Sequence, residues 1–319
     1  MSHHASSARP AAPLAPMRPA PAESLRPWAG GRLGAGVGEV WLAGPASLVD
    51  TADGTQRTLD ELAAIHGERL VGSRGMAQLG SRFPLLVKVI DAAAWLSLQV
   101  HPTDDVAVAL YGPGTLGKTE AWLVLDAEPD AMLITGPDPG LDLTALRAAI
   151  GSGTMGRAEC AVQPGLAGDS YLIRAGTIHA IGAGLLVYEI EQPSDLTFRI
   201  SDWGRVATAA RPVHTVEALK AVDPGAHAVP LGRAWRLDGG ALEVREFRLE
   251  LLTGDGSEVR EPSGRSVEIV TAVSGHVELT GDGWREVLEP FQTLVVPAAV
   301  PLYGIVLDDG AVACVGSLP

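Results

Sequence analysis

Gly168-Asp169-Ser170-Tyr171-Leu172-Ile173-Arg174-Ala175-Gly176-Thr177-Ile178-His179-Ala180-Ile181-Gly182 reads as a strand, a tight turn and the start of a second strand. The turn calls for a glycine, and Gly176 supplies it. His179 then opens the strand that follows. The spacing is Gly-x5-Arg-x-Gly-x2-His. A weaker copy stands near the C-terminus, Phe291-x5-Pro297-Ala298-Ala299-Val300-Pro301-Leu302. It keeps a proline and the spacing, but Ala299 replaces the glycine and Leu302 the histidine. One complete unit and one degraded unit predict a duplicated β fold with its chemistry in the first copy.

Working outward, Leu96-Ser97-Leu98-Gln99-Val100-His101-Pro102 alternates apolar and polar residues. On a strand, Gln99 and His101 share one face, and Leu98 and Val100 pack on the other. Residues 84–90 (PLLVKVI) read as a buried strand. A short helix is expected to start at 101–105, with Pro102 in its first turn. A glycine-rich loop leads into a strand over 118–125, where Lys118 and Glu120 share a parity. Residues 185–191 form a strand with Glu189 and Glu191 on one face, and a turn then leads to a strand ending at Ile200. Helices are expected over 58–70, with Thr58 as cap and Glu61 three residues on, over 143–150 and over 215–222. From 241 onward the chain reads as strand and turn only: 242–250, 266–273, 276–280, 292–296, 304–307 and 311–315. Many short strands with Gly and Pro turns predict a sandwich or barrel.

Bulk properties bound the function. The 319 residues suit two domains, and the net charge of −14 argues against nucleic acid or an anionic membrane surface as partner. A local group of Lys and Arg can still hold a small anion. Two distant cysteines, Cys160 and Cys314, make no disulfide framework, which fits a reducing cytoplasm. No apolar run approaches the roughly 20 residues of a membrane span. Residues 1–26, rich in Ala and Pro, read as a disordered extension. Gly34, Gly36 and Gly38 are too irregular for a dinucleotide fingerprint.

The motif around His179 resembles the second motif of the cupin superfamily, with Arg174 where proline is usual. The expectation is a mainly β protein of two cupin (jelly-roll β-barrel) domains with a few short helices. Residues 27–235 form the metal-binding domain and 236–319 a second, metal-free one. Gln99, His101, Glu120 and His179 are the candidate ligands, a set suited to zinc, one ion per chain. His66, His214, His227 and His276 read as packing, turn or strand-end residues, and His3 and His4 lie in the tail.

Together, PWAGGRL (27–33), GEVW (38–41), PLLVKVIDAAAWLSLQVHP (84–102), GKTEAW (117–122), GDSYLIRAGTIHAIG (168–182) and LVYEIEQPSDLTFRISDWGR (186–205) resemble the type I mannose-6-phosphate isomerases of the short bacterial form. The resemblance is motif-specific between 84 and 205 and only architectural beyond 240. It implies a zinc-dependent aldose–ketose isomerase interconverting mannose 6-phosphate and fructose 6-phosphate. It implies zinc on Gln99, His101, Glu120 and His179, and Lys118, Glu189, Asp195 and Arg199 around the sugar. The partner is then a small sugar phosphate, the location cytoplasmic and the chain a monomer or homodimer. Lys118, with a pKa lowered near the metal, Glu189 and Asp195 all remain candidate bases; Arg199 suits the enediolate or the phosphate, or a salt bridge with Asp195. Two departures from the family pattern are Pro193, in place of Asn, and Arg174, which faces solvent or reaches toward a phosphate. Two rivals remain: an iron-dependent cupin oxygenase using two His and a carboxylate, and a non-catalytic sugar-phosphate-binding cupin.

Overall fold

A computed structural model describes residues 14–209, 211–232, 241–254 and 256–319. His3, His4, residues 1–13 of the expected extension and the expected boundary at 235/236 lie outside them. The chain is mainly β. Its first half is built on a seven-stranded antiparallel sheet in the order Ala22–Leu25, Val37–Ala43, Leu86–Ala92, Leu185–Glu191, Glu120–Ala127, Ser170–Ile173, Val229–Pro230. Facing its inner side are a three-stranded sheet (Ala180–Ile181, Met132–Pro137, Cys160–Pro164) and the pair Leu98–Val100 with Phe198–Ser201. The second half pairs a five-stranded sheet (Ala241–Glu243, Arg248–Thr253, Val312–Ser317, Glu268–Ser274, Thr293–Val296) with a four-stranded one (Ser257–Arg260, Tyr303–Leu307, Val277–Gly281, Trp284–Leu288). In each half the sheets face one another across an apolar core without closing into a continuous barrel.

Leu86–Ala92 and Leu185–Glu191 are buried along their whole length, because both faces of their sheet are covered. Alternation sends Val87, Val89, Ala121, Leu123, Tyr188 and Ile190 outward. There they meet Phe247, Leu249, Leu251, Ile269 and Cys314 of the second half in one core. The opposite parity, Ile90, Ala92, Trp122, Val124, Leu185 and Val187, fills the inside of the first half. At one end of that inner face the apolar residues give way to Lys88, Glu120, Glu189 and Glu191, all buried.

The extension expected over 1–26 is corrected for residues 14–26. Met17 exchanges backbone hydrogen bonds with Val295, and Ala22–Leu25 pairs with Val37–Ala43. An Ala/Pro-rich segment orders here because existing strand edges offer it a ladder. The helix expected over 58–70 stops at His66: the Thr58 and Glu61 capping box forms, but Gly67 takes a φ of 52°. A second helix, Glu68–Leu79, follows with non-helical Gly72 inside it. A Cβ at Gly72 would lie 2.3 Å from the Arg265 backbone, so this glycine admits the second half. The helix expected to start at 101–105 is Asp104–Tyr111, capped by Thr103, with Pro102 ahead of it. The strand expected over 242–250 is two strands, Ala241–Glu243 and Arg248–Thr253. Among the described residues, no helix is long and apolar enough to cross a membrane.

Candidate metal and active site

Leu98 and Val100 are fully buried in an apolar cluster with Ile134, Ile178 and Phe198. That fixes the strand's other face, with Gln99 and His101, toward the inside of the first half. Gln99 exchanges backbone hydrogen bonds with His179, which brings the two motifs side by side. Glu120 starts the adjoining strand. The result is a fully buried group: His101 Nε2 lies 3.3 Å from Glu120 Oε2 and His179 Nε2 lies 3.4 Å from Glu120 Oε1. Ligand atoms of all three residues lie within 4.8 Å of one another.

Each imidazole is oriented from behind. His101 Nδ1 lies 2.8 Å from the Leu196 carbonyl and His179 Nδ1 2.9 Å from that of Thr177. Nδ1–H therefore donates to backbone and the Nε2 lone pair points at the group. Burial, and then Lys118, push the His101 imidazole down to about 4; burial also lowers His179. Both rings are neutral at physiological pH, as a metal ligand requires. His101 Nε2 and both Glu120 oxygens are buried without an aligned hydrogen bond among the described residues, although Lys118 Nζ lies 2.9 Å from Glu120 Oε2. Such atoms are costly to leave unsatisfied, and a cation between them would satisfy all three. Gln99 borders the group with its amide nitrogen 3.2 Å from His179 Nε2, while its oxygen accepts from Ser97 Oγ.

Beside this group lies a buried cluster of two lysines and two further carboxylates. Lys118 Nζ is 2.9 Å from Glu120, 2.7 Å from Glu191 and 3.7 Å from Glu189; Lys88 Nζ is 2.8 Å from Glu191 and 3.3 Å from Glu189. Trp122 Nε1 donates to Glu189. The lowering expected for Lys118 is opposed by its protein neighbours. Burial does press it down, but Glu120, then Glu191 and Glu189, outweigh burial and hold it well above the ordinary lysine value. Burial and Glu120 push Glu189 up, yet Lys118 and Lys88 hold it at about 2. Burial presses the Glu191 carboxyl upward against the pull of Lys118 and Lys88.

These groups open onto a cavity of about 420 Å³ lined by Gln99, Lys88, Lys118, Glu189, Asp195 and Arg199, with Arg26, Arg211 and His214 also on its wall. Arg199 Nη1 donates to the Pro212 carbonyl, and its Nε is buried without a partner. Among the described residues no ion pair joins Arg199 to exposed Asp195. Arg211 instead pairs with Asp202 at 2.9 Å. Arg174 is exposed and lines a different, smaller cleft with Asp104 and Arg245, so it has no place at this cavity.

Of the eight residues singled out in the sequence, Gln99, Lys118, Glu189, Asp195 and Arg199 line this cavity, and His101, Glu120 and His179 form the buried group next to Gln99 and Lys118. Sequence reasoning missed Lys88, Glu191, Arg26, Arg211 and His214. A lysine inside a strand otherwise apolar was the available signal for Lys88. His214 reads as a turn residue in the sequence, and in the structure its Nδ1 accepts from Arg199 N at 3.1 Å. Arg26 and Arg211 stand in segments without periodicity.

The second half carries the same frame. Glu120 pairs with Ile173, the residue before Arg174, and Glu268 pairs with Val296, the residue before Pro297. Glu268 therefore occupies the register of Glu120. There the cation is internal: Arg260 Nη2 lies 2.6 Å from Glu268, and Tyr303 Oη donates to its other oxygen at 2.7 Å. Leu302, at the position of His179, is exposed.

Residues 34–114 match a family model described as phosphomannose isomerase type I, catalytic domain. A mannose-6-phosphate isomerase of Streptococcus mutans is 40% identical over 172 residues, 53% of this chain and 52% of that protein. A mannose-6-phosphate isomerase of Bacillus subtilis is 37% identical over 150 residues, 45% of each. The matched stretches thus span about half the length of these relatives. The crystal structure of the Bacillus subtilis mannose 6-phosphate isomerase superposes with a TM-score of 0.79 at 25% identity, covering 95% of this chain and 99% of that one. By sequence over residues 34–114 and by fold over 95% of its length, this chain is similar to the phosphomannose isomerases.

Proposed function

We propose that the protein is a zinc-dependent aldose–ketose isomerase interconverting mannose 6-phosphate and fructose 6-phosphate through an enediolate. One observation carries the reading: two neutral imidazoles and a carboxylate converge in a buried group beside a cavity whose wall also carries Lys118, Asp195 and Arg199. His101, Glu120 and His179 would hold the zinc, with Gln99 supplying a neutral oxygen once its amide is turned. Bound zinc supplies a Lewis acid for the sugar oxygens and for the charge that develops on them. In this reading Lys118, kept as an ammonium by Glu120 and Glu191, gives a proton and stabilises negative charge. Glu189 is engaged by Lys88, Lys118 and Trp122 Nε1, so Asp195, exposed on the cavity wall, is assigned the proton from the carbon next to the carbonyl. Arg199, with a donor free of any acceptor, meets the anionic oxygens of enediolate or phosphate. The cavity falls within the roughly 300–1,000 Å³ typical of small-molecule sites. Two free, buried thiols agree with a cytoplasmic enzyme.

A coupled assay across several aldose phosphates, run beside metal analysis of protein purified without added metal, tests the reading. Turnover of mannose 6-phosphate that tracks zinc supports it. Stoichiometric iron with oxygen uptake contradicts it in favour of an oxygenase, and full zinc with no turnover leaves a binding protein.

A further inference from the structure

We propose that Gln192 and Asp104 act as one positioning device for the segment that carries Lys118 and Glu120; the proposal rests on the isomerase reading above. Residues 116–119 precede the strand Glu120–Ala127, so regular sheet pairing does not fix them. Side-chain and turn contacts do so instead. Gln192 Oε1 accepts from Thr119 N at 2.9 Å, and Gln192 N donates to the Thr119 carbonyl at 3.1 Å. Gln192 Nε2 donates at 3.0 Å to Asp104 Oδ1, the same oxygen that accepts from Gly117 N at 2.8 Å. Lys118 N donates to the Pro102 carbonyl at 3.0 Å. Gly117 is pressed so closely on this turn that a Cβ would lie 2.5 Å from the Pro102 oxygen.

Three segments bearing site residues meet at this device. Asp104 follows His101 by three residues, Gly117 and Thr119 flank Lys118, and Gln192 follows Glu191 directly. Thr119 and Gln192 are both buried, so no water replaces a bond that is removed. Gln192 and Asp104 lie outside the cavity lining and act only through Lys118 and Glu120. Shifts of about 1 Å in such groups cost on the order of 100-fold in rate.

The test uses full-length zinc-loaded protein with Gln192→Leu, Asp104→Ala, the double variant and Asp104→Asn. The readouts are kcat and KM with mannose 6-phosphate, zinc content, and hydrogen exchange of the 117–120 amides by mass spectrometry. Each single loss is expected to lower kcat about 10- to 100-fold, with KM changed less than about 3-fold, zinc retained and exchange at 117–120 accelerated. The double variant is expected to fall no further than the worse single, because the two residues act as a unit. Asp104→Asn keeps the accepting Oδ1 and is expected to restore near-normal kcat. Should Gln192→Leu fail to fold, Gln192→Glu, which keeps the acceptor for Thr119 and loses the donor to Asp104, carries the same expectation. Unchanged kcat, a loss confined to KM, or unaltered exchange at 117–120 overturns the proposal. An inactive wild type sinks the isomerase reading instead, and the exchange measurement still reports on the positioning.

Discussion

The Nε2 atoms of His101 and His179 aim at Glu120 because backbone carbonyls hold their Nδ1–H groups. Removing one imidazole removes a ligand and leaves Glu120 buried with fewer partners. His179→Ala is therefore expected to lose zinc and turnover together, as elemental analysis and the coupled assay would record; full zinc in the variant would remove His179 from the centre. Arg199→Ala is expected to keep fold and zinc but lose kcat by about 100-fold or more, and near-normal kcat would reduce it to a structural role. Protonation gives a third expectation. His101 sits at about 4 in the fold against 6.5 for the ordinary group, so the unfolded chain binds its proton first as pH falls. The metal-free protein should then lose stability as pH drops from about 6.5 toward 4, by up to about 3 kcal/mol from this residue. Urea unfolding at a series of pH values checks the sign. The alternation in 96–102 made Gln99 and His101 legible as one face, since Leu98 and Val100 had to be buried. The charge state of Lys118 was not legible, because beyond Glu120 it depends on Glu191 and Glu189, which only strand pairing brings near.

Strands and helices with strong local signals were readable and those shaped by contacts elsewhere were not. Thr58 and Glu61 satisfy each other's end of the helix Leu59–His66, a pairing written in the sequence spacing. Thr58→Ala is expected to cost about 1 kcal/mol of stability by chemical denaturation, with turnover unchanged. The helix Glu68–Leu79 escaped notice because Gly72 and Gly75 break its pattern. Gly72 is explained by the Arg265 backbone packed on it, which no local reading contains. The same holds for Arg248–Thr253 and Ala241–Glu243, read as one strand: the break at 244–247 is a hairpin that turns the chain back on itself. Ser257–Arg260 and Trp284–Leu288 went unread for a related reason, since Arg260 and Arg285 in them are paired to carboxylates on other strands.

The two halves share a core in which the outer face of the seven-stranded sheet meets Phe247, Leu249, Ile269 and Cys314. The duplication was legible in the two turn motifs, and the register of Glu268 matches that of Glu120. That the second copy lacks the histidine was legible in Leu302; that Arg260 compensates Glu268 there depends on strand pairing that no local reading contains. Gly72 marks where the halves touch, and its φ of 80° adds strain for any other residue. Gly72→Ala is expected to destabilise the whole chain by at least about 2 kcal/mol in a single cooperative transition. A loss confined to one half, seen as two transitions in calorimetry, would mean that the shared core does not couple them. The claim on which the rest depends is that the His101, Glu120 and His179 centre is a zinc site that turns over a sugar phosphate. The direct measurement is a titration of the chelator-treated protein with zinc while mannose 6-phosphate isomerisation is followed. The account predicts negligible turnover without metal, rising in proportion to zinc and levelling at one equivalent per chain; turnover that persists in the metal-free protein, or none at full zinc occupancy, would contradict it.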